Sequence, residues 1–77
     1  MYNWTENNNK LQKTFKFPSF TEAIAWMNKA AVIIDEMDHH PEWTNVYNKV
    51  HVTLCTHDAG NTITDKDREL ARRLDEV

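Results

Sequence analysis

His39 and His40 stand side by side ahead of Pro41, Glu42 and Trp43, and a third histidine, His57, lies at the far end of a segment with strand character. Three of the four histidines are thereby expected to share one pocket. Imidazole, with an unperturbed pKa of about 6.5, is the side chain that gives or takes a proton near neutral pH. Carboxylates at Asp35, Glu36, Asp38 and Asp58 stand nearby in sequence. That combination points to proton transfer or to metal binding.

An isolated His-His pair before a proline is more often an exposed, helix-ending turn, and it is His57 that keeps a shared site in view. General acid–base catalysis would use one imidazole to take a proton while another gives one, with carboxylates fixing the tautomers. Histidine and aspartate are also common zinc ligands, yet adjacent histidines seldom ligate one ion and the helical spacing His-x-x-x-His is absent. Cys55 shares a strand face with His57, although a lone strand cysteine is more often a small buried hydrophobe. Gly60 is the only glycine, so no glycine-rich phosphate loop exists. Trp26, Trp43 and Tyr47 could make a flat wall for an aromatic heterocycle, while core packing is the commoner use of such residues.

The elements that must position these groups are legible from periodicity. Leu11, Phe15 and Phe17 alternate with Gln12, Thr14 and Lys16, the period of a half-buried strand over Lys10 to Phe17, with Lys13 interrupting the apolar face. The Asn7-Asn8-Asn9 run is turn chemistry, which makes Tyr2 to Glu6 the other arm of a hairpin. Ser19 or Thr21 can cap a helix, with Glu22 completing a capping-box pattern. Phe20, Ala23 or Ile24, Met27, Ala31 and Ile34 then give an amphipathic stripe to about Met37. His40, being pre-proline, is pushed out of helical conformation, so the helix ends at the two histidines.

From Trp43 to His57 β-branched and aromatic residues dominate, with a turn or irregularity at Asn48-Lys49. Val50, Val52 and Leu54 occupy one face, and His51, Thr53, Cys55 and His57 the other. After the loop from Asp58 to Thr62, Thr64 can cap a second helix, with Asp65 and Asp67 at its N-terminal end, Arg72 and Arg73 at its C-terminal end, and Leu70, Leu74 and Val77 as its stripe. The order ββαββα predicts an α+β fold: an antiparallel four-stranded sheet with both helices packed on one face.

Size and charge narrow the function. A chain of 77 residues is a single domain, 1–77, and one so short buries only about 60% of its unfolded surface, so oligomerisation would help it. A net charge of −3 with mixed signs offers no basic stripe for phosphates, which argues against direct nucleic-acid binding. The longest apolar run, Ala30 to Ile34, is far short of the ~20 residues of a membrane span, and Met1 to Asn9 has no signal-like region. One cysteine cannot form an intrachain disulfide, and a reducing, cytoplasmic setting is expected.

Asp35, then Asp38-His39-His40-Pro41-Glu42-Trp43, Asn45-Val46-Tyr47-Asn48-Lys49-Val50, Thr56-His57-Asp58 and Asp67 together resemble the ordered signature of the pterin-4a-carbinolamine dehydratases. The resemblance runs from the Lys10 to Phe17 strand through the last helix, with Asp35 where members often carry Glu. It implies a small α+β enzyme, needing no metal or other cofactor, that dehydrates 4a-hydroxytetrahydrobiopterin to the quinonoid dihydropterin and so recycles the pterin of aromatic amino acid hydroxylases. By the same resemblance His40 is the principal acid–base residue with His39 and His57 assisting, and Asp35, Asp38, Pro41, Thr56, Asp58, Ala59 and Asp67 hold the pterin. It further implies a homodimer or homotetramer, in a short form that lacks the family's N-terminal helix. Animal members also serve as dimerisation partners of a homeodomain transcription factor, so a non-catalytic pterin-binding or interaction module is the alternative.

Overall fold

The computed structural model describes residues 4–77, apart from the side chain of Asp58. The elements run β1 (Thr5–Asn7), β2 (Lys10–Lys16), α1 (Phe20–Met37), β3 (Glu42–Val46), β4 (Lys49–Leu54), a one-turn 3₁₀ helix (His57–Ala59) and α2 (Asp65–Asp75). The four strands form one antiparallel sheet in the order β1-β2-β4-β3. This is the expected α+β architecture in ββαββα order. No helix among the described residues is long and apolar enough to cross a membrane.

Asn8 and Asn9 join β1 to β2 with φ of 52° and 61°, the double left-handed geometry of the tight hairpin turn that follows the twist of the strands. Asparagine tolerates this conformation and glycine prefers it. Asn9→Gly is therefore expected to raise the stability by on the order of 0.5 kcal/mol, a rise in Tm of about 2–4 °C by thermal denaturation. Of the expected first arm, Thr5 and Glu6 lie in β1, whereas Tyr2 falls outside the described residues.

Pairing of Leu11 with Leu54, Lys13 with Val52 and Phe15 with Val50 sets one face of β2 and β4 against the helices. There Leu11, Val50, Val52 and Leu54 pack with Ala23, Trp26, Ala30 and Ile34 of α1 and Leu70, Ala71 and Leu74 of α2. The interruption at Lys13 is accommodated by its alkyl stem and a partner. Its Nζ lies 2.5 Å from Asp75 Oδ1 and 4.6 Å from the Phe15 ring centroid. Trp4 Nε1–H donates to the other Asp75 oxygen at 3.1 Å, so one carboxylate ties the N-terminal hairpin to the end of α2.

The phase of the α1 stripe differs from the sequence expectation. Ala23 and Ile34 are buried as anticipated, but Trp26 and Ala30 complete the buried arc, while Phe20 is 49% exposed and Ala31 faces outward. The cause is aromatic packing: the Trp26 ring lies 4.4 Å from Phe15 and 5.6 Å from Phe17, centroid to centroid, and seating it rotates Phe20 to the rim. Ser19 caps the helix, its Oγ accepting the Glu22 N–H at 3.2 Å.

Two further boundaries move. Strand β4 stops at Leu54, so Cys55 lies just beyond it and His57 belongs to the 3₁₀ turn rather than to a strand face. The chain turns here because Thr56 bridges to Thr62 and its carbonyl accepts from Ala59 and Asn61. Val77 follows α2 and is exposed, and Ala71 takes the expected third place in the apolar stripe. The Tyr47-Asn48 pair is the turn between β3 and β4, with Tyr47 at φ 52°.

Candidate functional site

The end of α1 delivers the two adjacent histidines in different directions. Asp38 adopts a left-handed conformation, φ 49°, and donates its N–H to the Asp35 carbonyl, while the His39 N–H reaches back to Ile34 at 3.3 Å. This paired arrangement is the Schellman helix stop, with aspartate in the place that glycine usually fills. The reversal aims His39 at the start of α2. His40 stays on the surface, 62% exposed, with Nε2 at 3.4 Å from Asp35 Oδ1.

Asp67 receives His39. It sits in the first turn of α2, is 0% exposed, and lies with Oδ1 2.5 Å from His39 Nε2. Its other oxygen accepts the Thr64 N–H at 2.8 Å, capping the helix, and the Thr56 hydroxyl at 2.8 Å. Burial pushes the Asp67 pKa up, but the hydrogen bonds from His39, the Thr64 backbone and Thr56, with the charge of His39, outweigh it and hold the carboxyl below its ordinary value. Asp67 is thus an anion at neutral pH. A carboxylate can only accept, so His39 carries its hydrogen on Nε2 and leaves Nδ1 to exchange a proton.

His57 is set the other way round. Its Nδ1 lies 2.6 Å from Asn61 Oδ1; with the amide oxygen accepting, Nδ1 carries the hydrogen and Nε2 is the basic nitrogen. Asp38, His39, His40, Thr56, His57 and Lys66 line one open cavity of about 270 Å³. A larger hollow of about 380 Å³ lies on the sheet, lined by Thr5, Gln12, Lys13 and Thr14, and it holds no histidine. Chemistry rather than size distinguishes the site.

The cavity therefore gathers His39, His40, His57, Asp38 and Thr56. Asp35 stands at its edge through His40, and Asp67 is buried behind His39. Pro41 and Ala59 are not among the lining residues, and the side chain of Asp58 lies outside the described residues. Trp26 and Trp43 belong to the core and Tyr47 is 68% exposed in its turn, so none of the three walls the cavity. Among the described residues no group of three His, Cys, Asp or Glu side chains is placed to hold a metal ion.

Lys66 was not singled out from sequence. Its signal was a cation in the first turn of α2, where the helix dipole disfavours positive charge. Placed on the cavity, it offers a donor and a charge that a polar ligand can meet.

Comparison with known proteins gives a consistent family. A family model described as pterin 4 alpha carbinolamine dehydratase matches residues 1–77. A protein of Opitutus terrae, provisionally named pterin-4-alpha-carbinolamine dehydratase, is 49% identical over 74 residues, covering 96% of this chain and 76% of its own. The crystal structure of a transcriptional coactivator/pterin dehydratase from Brucella melitensis superposes with a TM-score of 0.88 at 39% identity, covering 95% of this chain and 79% of that one. A pterin dehydratase-like protein described as a RuBisCO assembly factor of the alpha-carboxysome shares the fold, with a TM-score of 0.78 at 22% identity over 97% of this chain and 86% of its own.

Proposed function

The chain belongs to the pterin 4 alpha carbinolamine dehydratase family, and from that membership we propose that it is a 4a-hydroxytetrahydrobiopterin dehydratase, acting in the cytoplasm as a homodimer or homotetramer. The observation that carries the reading is the convergence of His39, His40 and His57 on one cavity. Loss of water from the carbinolamine breaks the C4a–O bond and removes the N5 proton, giving the quinonoid dihydropterin. The departing hydroxyl needs an acid and N5 needs a base, and imidazoles near their pKa supply both.

In this reading His40 is the principal acid–base residue. Its exposure lets it exchange its proton with water between turnovers. His39, oriented by Asp67, and His57, oriented by Asn61, are held as opposite tautomers, which leaves Nδ1 of the first and Nε2 of the second as the basic nitrogens. By the family resemblance Asp38, Pro41, Asp58 and Ala59 position the pterin and Asp35 steadies His40, while Asp67, with Thr56 behind it, acts through His39. Lys66 joins the binding groups.

The test is stopped-flow dehydration of freshly generated 4a-hydroxytetrahydropterin, followed by absorbance. Acceleration over buffer in proportion to protein concentration supports the enzyme. The second reading, a binding or interaction module on the same fold, is favoured by the description of the Brucella relative as a coactivator as well as a dehydratase. Pterin binding by calorimetry without acceleration would select it.

A further inference from the structure

The donors that hold Asp67 form a chain with a fixed direction. Thr56 Oγ1 donates to Asp67 Oδ2 at 2.8 Å and lies 2.7 Å from Thr64 Oγ1. A hydroxyl has one hydrogen. Thr56 gives its hydrogen to the carboxylate, so at the second contact it must accept and Thr64 must donate. The other acceptor near Thr64 Oγ1, Asp67 Oδ2 at 3.4 Å, is the poorer one by distance. The order is Thr64 hydroxyl to Thr56 hydroxyl to Asp67, which takes the His39 N–H on its far oxygen. Each donation polarises the next group, and removal of a member weakens the whole chain.

The backbone of Thr56 has a second task. Its N–H donates to the Thr62 carbonyl at 2.9 Å, and its own carbonyl accepts the N–H groups of Ala59 at 3.3 Å and Asn61 at 3.1 Å. These bonds define the turn that carries His57 and Asn61. One residue therefore holds the His57 turn through its main chain and the Asp67–His39 pair through its side chain. We infer that Thr56, backed by Thr64, is a positioning residue that couples the His57 turn to the ring orientation of His39, so that the two histidines are set as one unit.

The hydroxyl of Thr56 is committed inward to Asp67 and Thr64, which separates this role from direct contact with a ligand. The inference rests on the proposed acid–base use of His39 and His57, but the geometry it asserts can be read without turnover. Nitrogen-15 spectra of the histidine rings at neutral pH report which ring nitrogen carries the hydrogen. Wild-type His39 is expected to show the Nε2–H form. Thr56→Val, which keeps the β-branch and removes the hydroxyl, is expected to shift the ring-nitrogen signals of both His39 and His57. Thr56→Ser is expected to restore both. Turnover should fall about tenfold in Thr56→Val, the effect of one hydrogen bond to a charged group, with KM little changed.

A folded Thr56→Val with unchanged His39 and His57 ring signals overturns the inference, as does a raised KM with unchanged rings, the mark of a ligand contact. Thr64→Val provides a second test that leaves the Thr64 N–H on Asp67 in place. It should perturb His39 in the same direction and to a smaller extent, and unchanged rings in that variant also overturn the inference. Absence of wild-type turnover would defeat the dehydratase reading alone, because the ring spectra decide the coupling separately.

Discussion

Asp67→Ala is expected to lower the free energy of unfolding by about 3–5 kcal/mol, the cost of removing one partner from a buried, charge-assisted pair. The substitution strands His39 Nε2–H, the Thr64 N–H and the Thr56 hydroxyl, which now converge on a carboxylate that is 0% exposed. It also removes the cap of α2 and the tie between the end of α1 and the start of α2. In a domain of this size such a loss is a large part of the total stability. Urea denaturation at neutral pH measures it, and a loss below about 1 kcal/mol would place Asp67 among ordinary surface caps.

The same carboxyl gives stability a pH dependence whose sign follows from its shift. The Asp67 pKa is lower in the folded chain than its ordinary 3.8, so the unfolded chain binds the proton first as pH falls. Its contribution is complete above the unfolded value and is lost as pH falls through the folded one. Glu69, held down to about 2 by Arg72 and Arg73 on the solvent side of α2, acts with the same sign, but solvent screens that cluster. Asp67→Asn should therefore reduce the loss of stability below about pH 4 without abolishing it, because Glu69 remains. An unchanged slope would mean that Asp67 has no net shift on folding.

Much of the fold was readable because it rests on local signals. The Asn8-Asn9 turn, the Ser19 cap, the length of α1 and the alternation in β2 and β4 each follow from residues adjacent in sequence. The phase of α1 did not, because it is set by the contact of Trp26 with Phe15 and Phe17, which belong to another element. His57 likewise continued the alternation of β4 on paper, and only the hydrogen bonds of Thr56 turn the chain before it. At the site, the sequence presented His39 and His40 as neighbours of similar standing. Their environments diverge because Asp38 reverses the chain between the helix and His39, placing one ring against buried Asp67 and leaving the other near exposed Asp35.

That divergence predicts that the two adjacent histidines separate under mutation. His40 is 62% exposed, and its nearest charge, Asp35, is 81% exposed, a pair worth about 0–1 kcal/mol. His40→Ala should leave the melting temperature nearly unchanged while turnover of the pterin carbinolamine falls by about 10²–10⁴, the usual contribution of a positioned acid or base. His39→Ala should lower turnover and stability together, because it leaves Asp67 buried without its cation-capable partner and costs about 3 kcal/mol. Rates and melting curves for both variants from about pH 5.5 to 8.5, the range over which imidazole changes charge, distinguish the two effects. Full turnover in His40→Ala would move the principal role to His39 or His57, the two rings held by fixed partners, and would make the exposed histidine a bystander at the rim. Loss of turnover in His40→Ala with an unaltered melt would instead assign proton exchange to the solvent-facing ring and orientation to the buried pair. The site would then divide its work according to burial: His39 held by an anion that solvent cannot reach, and His40 free to renew its proton from water.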